Sequence, residues 1–412
     1  MHFDNTGLLL FQLLVILSTV KLFGFLFKAI NQPAVIGEII AGIVLGPSLV
    51  GALFPTTFGF VFPKESIGTL QQLSQIGLLL FMFIVGMEFD MEKLKGTAKQ
   101  SLLVSSSSIL FPFILGCIFA YFIFDETQPN HPSQFSFVLF VGISMSVTAF
   151  PVLIRILGER SMLQTPMGIF VTGVAAMVDV IAWVMLAAIT TIVQGHSLIS
   201  SIYQVLAIIS LLLFSIFAVK PYLEKHFSDK AIILPSSFSL VIICLLLFGL
   251  ITTVIGIHAL FGAFLAGIIM PEKNKIKEKL THKIEMLTTV LFLPLFFVVT
   301  GLRTKINLLN SPELIGLFVI VLLLAFGGKI IGTAIPARII GKTWYQSWSI
   351  GVLMNTRGLM ELIVLNLGYD LGVLPESLFT ILTLVAIIST VLTTPLLDLI
   401  NYWFKTKKES IV

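Results

Sequence analysis

Charge is what this sequence has least of. Of 412 residues only 11% are Asp, Glu, Lys or Arg, while 57% are apolar. A soluble domain carries roughly a quarter charged residues, so there is too little polar material here to coat a water-facing surface. Cysteine is nearly missing too. Cys117 and Cys244 both fall inside apolar runs, which excludes a disulfide framework. No HExxH string and no Asp-rich diphosphate motif occurs, which argues against a membrane-embedded enzyme. A GxxxxGK[ST] nucleotide loop is absent, as is any basic cluster interleaved with aromatics of the kind that reads nucleic acid. The first apolar run lacks a basic leader and ends in Lys28 rather than at a small-residue cleavage site, so no cleavable signal peptide is expected.

What is present is apolar length. Runs of about 20 residues, enough to span a bilayer core, recur from end to end, and the mean hydropathy is +1.05. Bounded by charge, Pro and Gly, they predict an all-α polytopic membrane protein. Thirteen transmembrane helices are expected near 6–29, 33–47, 66–89, 99–123, 135–157, 165–193, 199–220, 233–254, 256–270, 284–302, 313–337, 343–368 and 374–404. The basic residues test that count. Alternate loops hold Lys28; Lys93, Lys95 and Lys99; Arg155 and Arg160; Lys220, Lys225 and Lys230; Lys273 to Lys283; Arg338 and Lys342; and Lys405 to Lys408. The opposite loops hold only Lys64, Arg303 and Lys305. The richer side is cytoplasmic by the positive-inside rule, which puts the N-terminus outside and the C-terminus inside a cell (plasma) membrane.

Two strings occur twice. Ile39–Pro47 reads IIAGIVLGP and Phe264–Pro271 reads FLAGIIMP; Leu80–Met87 reads LFMFIVGM and Leu295–Leu302 reads LFFVVTGL. Extending the register pairs helices 1–6 with 8–13. The expected domain is thus a single unit over 1–412: one six-helix repeat at about 6–193, a linker helix at about 199–220, and a second repeat at about 233–404. Helix 1 enters from outside and helix 8 from inside, so the repeats are inverted, as in alternating-access transporters whose site lies where discontinuous helices cross. Helices 5 and 12 are the broken candidates. Helix 5 carries Ser144-Met-Ser-Val-Thr148-Ala-Phe-Pro151, in which proline removes a backbone donor, and helix 12 carries Asn355-Thr356-Arg357-Gly358.

A charge near the bilayer centre costs about 2.5–3.5 kcal/mol on insertion scales, so every ionisable residue at that depth is a functional candidate. Asp179 stands mid-span with no neighbouring acid; a cap for a broken helix or a partner for a buried arginine is the structural alternative. Lys329 lies beside Gly327 and Gly328, open to a structural ion pair or a transport role. Arg357 and Glu361, four apart, share a helix face and read as an internal pair. Glu38, Lys21 and His258 read mainly as structural or interfacial.

These strings resemble the monovalent cation:proton antiporter superfamily, in particular the branch of plant cation/proton exchangers and bacterial Na⁺/H⁺ or K⁺/H⁺ antiporters. The likeness is carried by Gly46–Gly51, Gly86–Asp90, Ser144–Leu157, Asp179–Trp183, His258–Gly267 and Asn355–Gly368. It implies a homodimer in lipid, a dimerisation domain beside a mobile core domain, ion binding at Asp179, and a lysine at Lys329 that pairs with an acid in some members. Members usually carry Asn, Asp or Gln before the aspartate, where this chain has Val178. The soluble regulatory domain of many relatives is not expected within these residues, and would be missing or separate.

The chemistry expected is competition. Asp179 is neutral when protonated and neutral when holding Na⁺ or K⁺, but bare it is charged and crosses a low-dielectric barrier at high cost, so exchange is obligatory. Hard alkali cations take oxygen ligands, which Ser144, Ser146, Thr148 and Thr356 can supply, with Asp179 and Thr148 foremost. Lys329, Arg357 and Glu361 would serve as ion-pair or proton-coupling groups. No cofactor beyond the transported ions is expected. The alternatives are a cation channel, which needs a carbonyl filter or an acid ring, and an organic-anion symporter using Lys329 or Arg357.

Overall fold

The computed structural model describes residues 4–30, 32–88, 98–124, 133–193, 198–226, 235–256, 258–271 and 276–409. Among them every regular element is helical, as the unbroken apolar runs require: with no water to satisfy backbone groups, a spanning segment must close its hydrogen bonds internally. In chain order the helices are α1 (Asn5–Ala29), α2 (Ala34–Leu45), α3 (Val50–Leu53), α4 (Pro55–Val61), α5 (Lys64–Glu88), α6 (Ala98–Ile123), α7 (Gln134–Ser146), α8 (Phe150–Glu159), α9 (Pro166–Val193) and α10 (Leu198–Phe214). There follow α11 (Lys220–His226), α12 (Pro235–Ile255), α13 (Ala259–Ile268), α14 (Ile276–Leu287), α15 (Leu293–Arg303), α16 (Pro312–Ile339), α17 (Trp344–Met354), α18 (Leu359–Asp370) and α19 (Glu376–Glu409). One-turn π segments, Ser215–Val219 and Thr288–Phe292, join α10 to α11 and α14 to α15.

Ten of these helices, taken with their continuations, are long and apolar enough to cross a membrane, and α17 with α18 makes an eleventh crossing bent by 42°. The expected count of thirteen is not reached on that criterion, because two expected spans are short or split. Helix 5 divides into α7 and α8, and helix 9 is the ten-residue α13. The division between helices 8 and 9 falls at Gly256, whose φ of +92° turns the chain in a region that favours glycine. Lys93, Lys95, Lys230, Lys273, Lys275 and Asp90 lie outside the described residues.

The chain forms two compact units. One comprises Met1–Ser18, Gly59–Met91 and Thr190–Val299; the other comprises Thr19–Phe58, Glu92–Ile189 and Thr300–Val412. In the first, α5 and α13 approach to backbone contact: a Cβ added to Gly86 would sit 2.1 Å from the Phe264 carbonyl oxygen, and one on Gly267 would sit 2.2 Å from that of Phe83. In the second, a Cβ on Gly301 of α15 would lie 2.5 Å from Gly42 C and Ile43 N of α2. Only glycine permits helices to come this close. Gly42 and Gly267 hold the same place in the first matched string, as do Gly86 and Gly301 in the second. The same glycine-to-glycine crossing therefore recurs once in each unit.

The second unit holds every candidate site residue. Its hydrophobic core joins Val152, Leu153 and Ile156 of α8, Val171, Val174, Ala175 and Val178 of α9, and Val352, Leu353 and Met354 of α17. Val178, the residue before Asp179, is fully buried in that packing.

Candidate ion-binding site

The site begins with two interruptions. In the first, α7 stops at Ser146 and the chain runs extended through Val147 (φ −71°, ψ 147°) and Ala149 (φ −96°, ψ 92°) before α8 starts with Pro151 in its first turn. Proline has no N–H to bond the carbonyl four residues back and needs no donor in the first turn of a helix, so the sequence itself favours the break. In the second, α17 ends on Asn355 and α18 begins after Gly358, at which a Cβ would press to 3.0 Å on Val152 Cγ2. The two breaks meet. The Ala149 N–H donates to the Thr356 carbonyl at 2.9 Å, and the Thr148 hydroxyl donates to the Met354 carbonyl at 2.8 Å. Thr390 of α19 clamps the second break by accepting from the Arg357 N–H at 3.0 Å and donating to the Arg357 carbonyl at 2.5 Å.

Each interrupted helix leaves ends that cannot complete their own hydrogen bonds, and those ends carry partial charge. At the carboxyl end of α7 the buried carbonyls left over by the helix are met by two cationic side chains. Arg357 donates to the Ser144 carbonyl at 3.2 Å and the Met145 carbonyl at 2.7 Å. Lys329 donates to the Ser146 carbonyl, and to that of Ser108 on α6 at 3.0 Å. Arg357 also pairs with Glu361 at 3.0 Å, with both side chains at most 1% exposed. That spacing puts an acid in the first turn of α18, where the helix end is positive.

Asp179 differs from these three. It is 3% exposed, and no side chain among the described residues hydrogen-bonds to either carboxylate oxygen. The groups that act on it are the Lys329 ammonium and the Phe150 backbone N–H at the positive start of α8. Lys329 spends its hydrogen bonds on carbonyls and makes none to Asp179. The hydroxyls of Ser144, Ser146, Thr148 and Thr356 are all fully buried. Each donates to a backbone carbonyl, of Phe140, Ile143, Met354 and Leu353 respectively, which leaves the oxygen lone pairs free to accept or coordinate.

Of the remaining ionisable residues, Glu38 of α2 lies within electrostatic reach of Arg155 of α8, Lys21 is exposed, and His258 caps α13 by accepting from the Leu260 N–H at 3.4 Å. Sequence reasoning missed the Ser108 carbonyl that anchors Lys329 and the Thr390 clamp. Neither leaves a local signal, since one is backbone and the other a lone threonine in an apolar helix.

A bundle of spanning helices with buried charges gathered at paired helix breaks defines a multi-pass membrane protein built around an ionisable centre. Residues 14–399 match the family model described as "Sodium/hydrogen exchanger, transmembrane". The chain belongs to that family, which is one of transporters. It is 37% identical over 393 residues to the Na(+)/H(+) antiporter NhaS4 of Synechocystis sp., covering 94% of this chain and 96% of that one. It is 40% identical over 394 residues to Cation/H(+) antiporter 17 of Arabidopsis thaliana and 32% identical over 414 residues to K(+)/H(+) antiporter 1 of Saccharomyces cerevisiae. These alignments cover 94% and 97% of this chain but only 48% and 47% of those proteins, so the chain spans about half their length. In fold it is similar to the sodium proton antiporter MjNhaP1 of Methanocaldococcus jannaschii, with a TM-score of 0.69 at 15% identity, covering 94% of this chain and 96% of that one.

Proposed function

We propose that this chain exchanges a monovalent cation, Na⁺ or K⁺, for protons by alternating access, with both ions competing at Asp179. The observation that carries this reading is the isolation of that carboxylate: buried, without a side-chain hydrogen-bond partner, and facing the positive end of α8. A bare charge in such a place is costly, and either a proton or an alkali cation removes the cost. Lys329, Arg357 and Glu361 are otherwise engaged and so serve as the fixed frame around it. Oxygen ligands for the cation come from Thr148 first, then Ser144, Ser146 and Thr356. The names of the relatives, which include Na(+)/H(+), K(+)/H(+) and cation/H(+) antiporters, favour the same chemistry.

The recurring glycine crossings, Gly42 with Gly301 and Gly86 with Gly267, favour two inverted six-helix repeats and a count of thirteen spans in which α7–α8 and α13 are membrane segments. The protein works as a homodimer in the plasma membrane, with its N-terminus outside and its C-terminus cytoplasmic. An organic-anion symporter is disfavoured because both buried cationic side chains already end on carbonyls.

Reconstituted protein is to be given pulses of Na⁺, K⁺ and Li⁺ while the internal pH of the vesicles is followed. Cation-driven proton flux is expected in the wild type and none in Asp179→Asn, whose amide cannot release a proton, with expression and thermal stability retained. Flux that survives in Asp179→Asn places the exchange site elsewhere.

A further inference from the structure

We infer that Asn355 is a further ligand of the transported cation, and that the cation's seat is completed by the carboxyl end of α17. The inference rests on the reading of Asp179 as the exchange site and names a residue that reading does not include.

The two interrupted helices, α7 and α17, are treated unequally. The last carbonyls of α7, at Ser144, Met145 and Ser146, each receive a hydrogen bond from a cationic side chain. The last carbonyls of α17 receive none. Gly351 and Val352 accept from the Asn355 N–H, Leu353 accepts from the Thr356 N–H and hydroxyl, and Met354 accepts from the Thr148 hydroxyl. All of these donors are neutral. The negative end of α17 therefore enters the crossing with its hydrogen bonds made by neutral donors alone, and a cation is favoured at such an end.

A second, independent observation lies at the same place. Asn355 is 1% exposed, and its Oδ1 has no hydrogen-bond partner among the described residues. Buried polar atoms are satisfied in the large majority of cases, and here an acceptor and a carboxylate are unsatisfied in one core. Asn355 precedes Thr356, whose carbonyl binds the Ala149 N–H, and the next residue, Phe150, presents its N–H to Asp179. Val178 and Met354, the neighbours of Asp179 and Asn355 in sequence, belong to one hydrophobic cluster. Acceptors without donors call for a positive partner. An amide oxygen in the same buried core as a carboxylate and hydroxyls offers the hard-oxygen donors an alkali cation takes. A neutral amide adds affinity for the cation without adding a second acid, which suits a site whose preceding residue, Val178, is apolar.

The test uses the full chain in proteoliposomes with Li⁺, Na⁺ and K⁺ as probes. Asn355→Ala is expected to raise the half-saturating cation concentration by about tenfold or more while the maximal rate stays within about threefold, and to change the order of preference among the three ions. Asn355→Ser, which keeps one oxygen, should fall between. The same order should appear without transport, as the cation concentration that stabilises the purified protein against heat. A purely structural role would instead lower the maximal rate and the thermal stability together, leave ion preference untouched, and overturn the proposal. If the alanine variant does not fold, Asn355→Asp and Asn355→Ser decide it: tighter cation binding with the added carboxylate supports the ligand role, and equal half-saturation in both overturns it. Exchange persisting in Asp179→Asn would defeat the underlying reading and this proposal with it. An inert Asp179→Asn with Asn355 variants like the wild type would defeat this proposal alone.

Discussion

Voltage offers the sharpest test of the charge arrangement. Four charged side chains are buried among the described residues: Asp179, Glu361, Lys329 and Arg357. Glu361 and Arg357 neutralise one another at 3.0 Å, and Lys329 is held by the Ser108 and Ser146 carbonyls. With those three unchanged and exchange running at Asp179 as proposed, the only variable is what Asp179 carries. A proton and a monovalent cation each add one positive charge, so swapping them moves no net charge across the membrane. If cation binding instead drove a proton from Lys329, one extra charge would move per cycle. That charge couples to about 2.3 kcal/mol per 100 mV, which shifts the balance point of the ion gradients about 50-fold. The assay is cation-driven proton flux in proteoliposomes with the potential clamped at zero and at about −100 mV by a permeant organic ion, so that no alkali-cation gradient sets the voltage. The expected balance point is the same at both potentials. A shift of the order of 50-fold, abolished in Lys329→Met, would refute the one-for-one cycle and make Lys329 a second proton carrier.

Thr148→Val removes both a candidate ligand and the 2.8 Å tie to the Met354 carbonyl, so apparent cation affinity should weaken several-fold, more than the maximal rate falls. An unchanged affinity would strike Thr148 from the ligand set. Glu361→Gln strips a buried arginine of its counter-charge and should destabilise the protein by about 3–5 kcal/mol, visible as a lower unfolding temperature; a wild-type temperature would show the pair to be dispensable. Gly301→Ala forces a methyl to within 2.5 Å of the α2 backbone, and Gly86→Ala to 2.1 Å of the Phe264 carbonyl oxygen. Neither clash can be relieved by a side-chain rotation, so each should cost about 1–3 kcal/mol and reduce the yield of folded protein. Full yield and stability in both would mean that the helices can part there freely.

Much of the molecule could be read before it folded, for local reasons. A long apolar stretch has one stable backbone in lipid, so the long spans announce themselves by hydropathy. Pro151 has no N–H to carry a helix on from Val147 and suits the first turn of a new one, so the gap between α7 and α8 is equally local. Asp179, Lys329, Arg357 and Glu361 stand out because a charge in an apolar run is conspicuous, and the four-residue spacing of Arg357 and Glu361 is a property of any helix. Partnerships across the chain left no such trace. Lys329 reaches the Ser146 carbonyl across 183 residues and that of Ser108 across 221, and a carbonyl has no letter in the sequence. A lysine in an apolar run suggests an acid as its partner; the fold supplies the unfinished end of α7 instead. That choice leaves Asp179 without a side-chain hydrogen-bond partner among the described residues, and it depends on which helix ends packing brings together. Sequence therefore determined the helices, their breaks and the charges they bury, because each is set by neighbours within a few turns. Only the tertiary structure decided which charges are compensated and which carboxylate stays open, because that balance is struck between segments far apart in the chain.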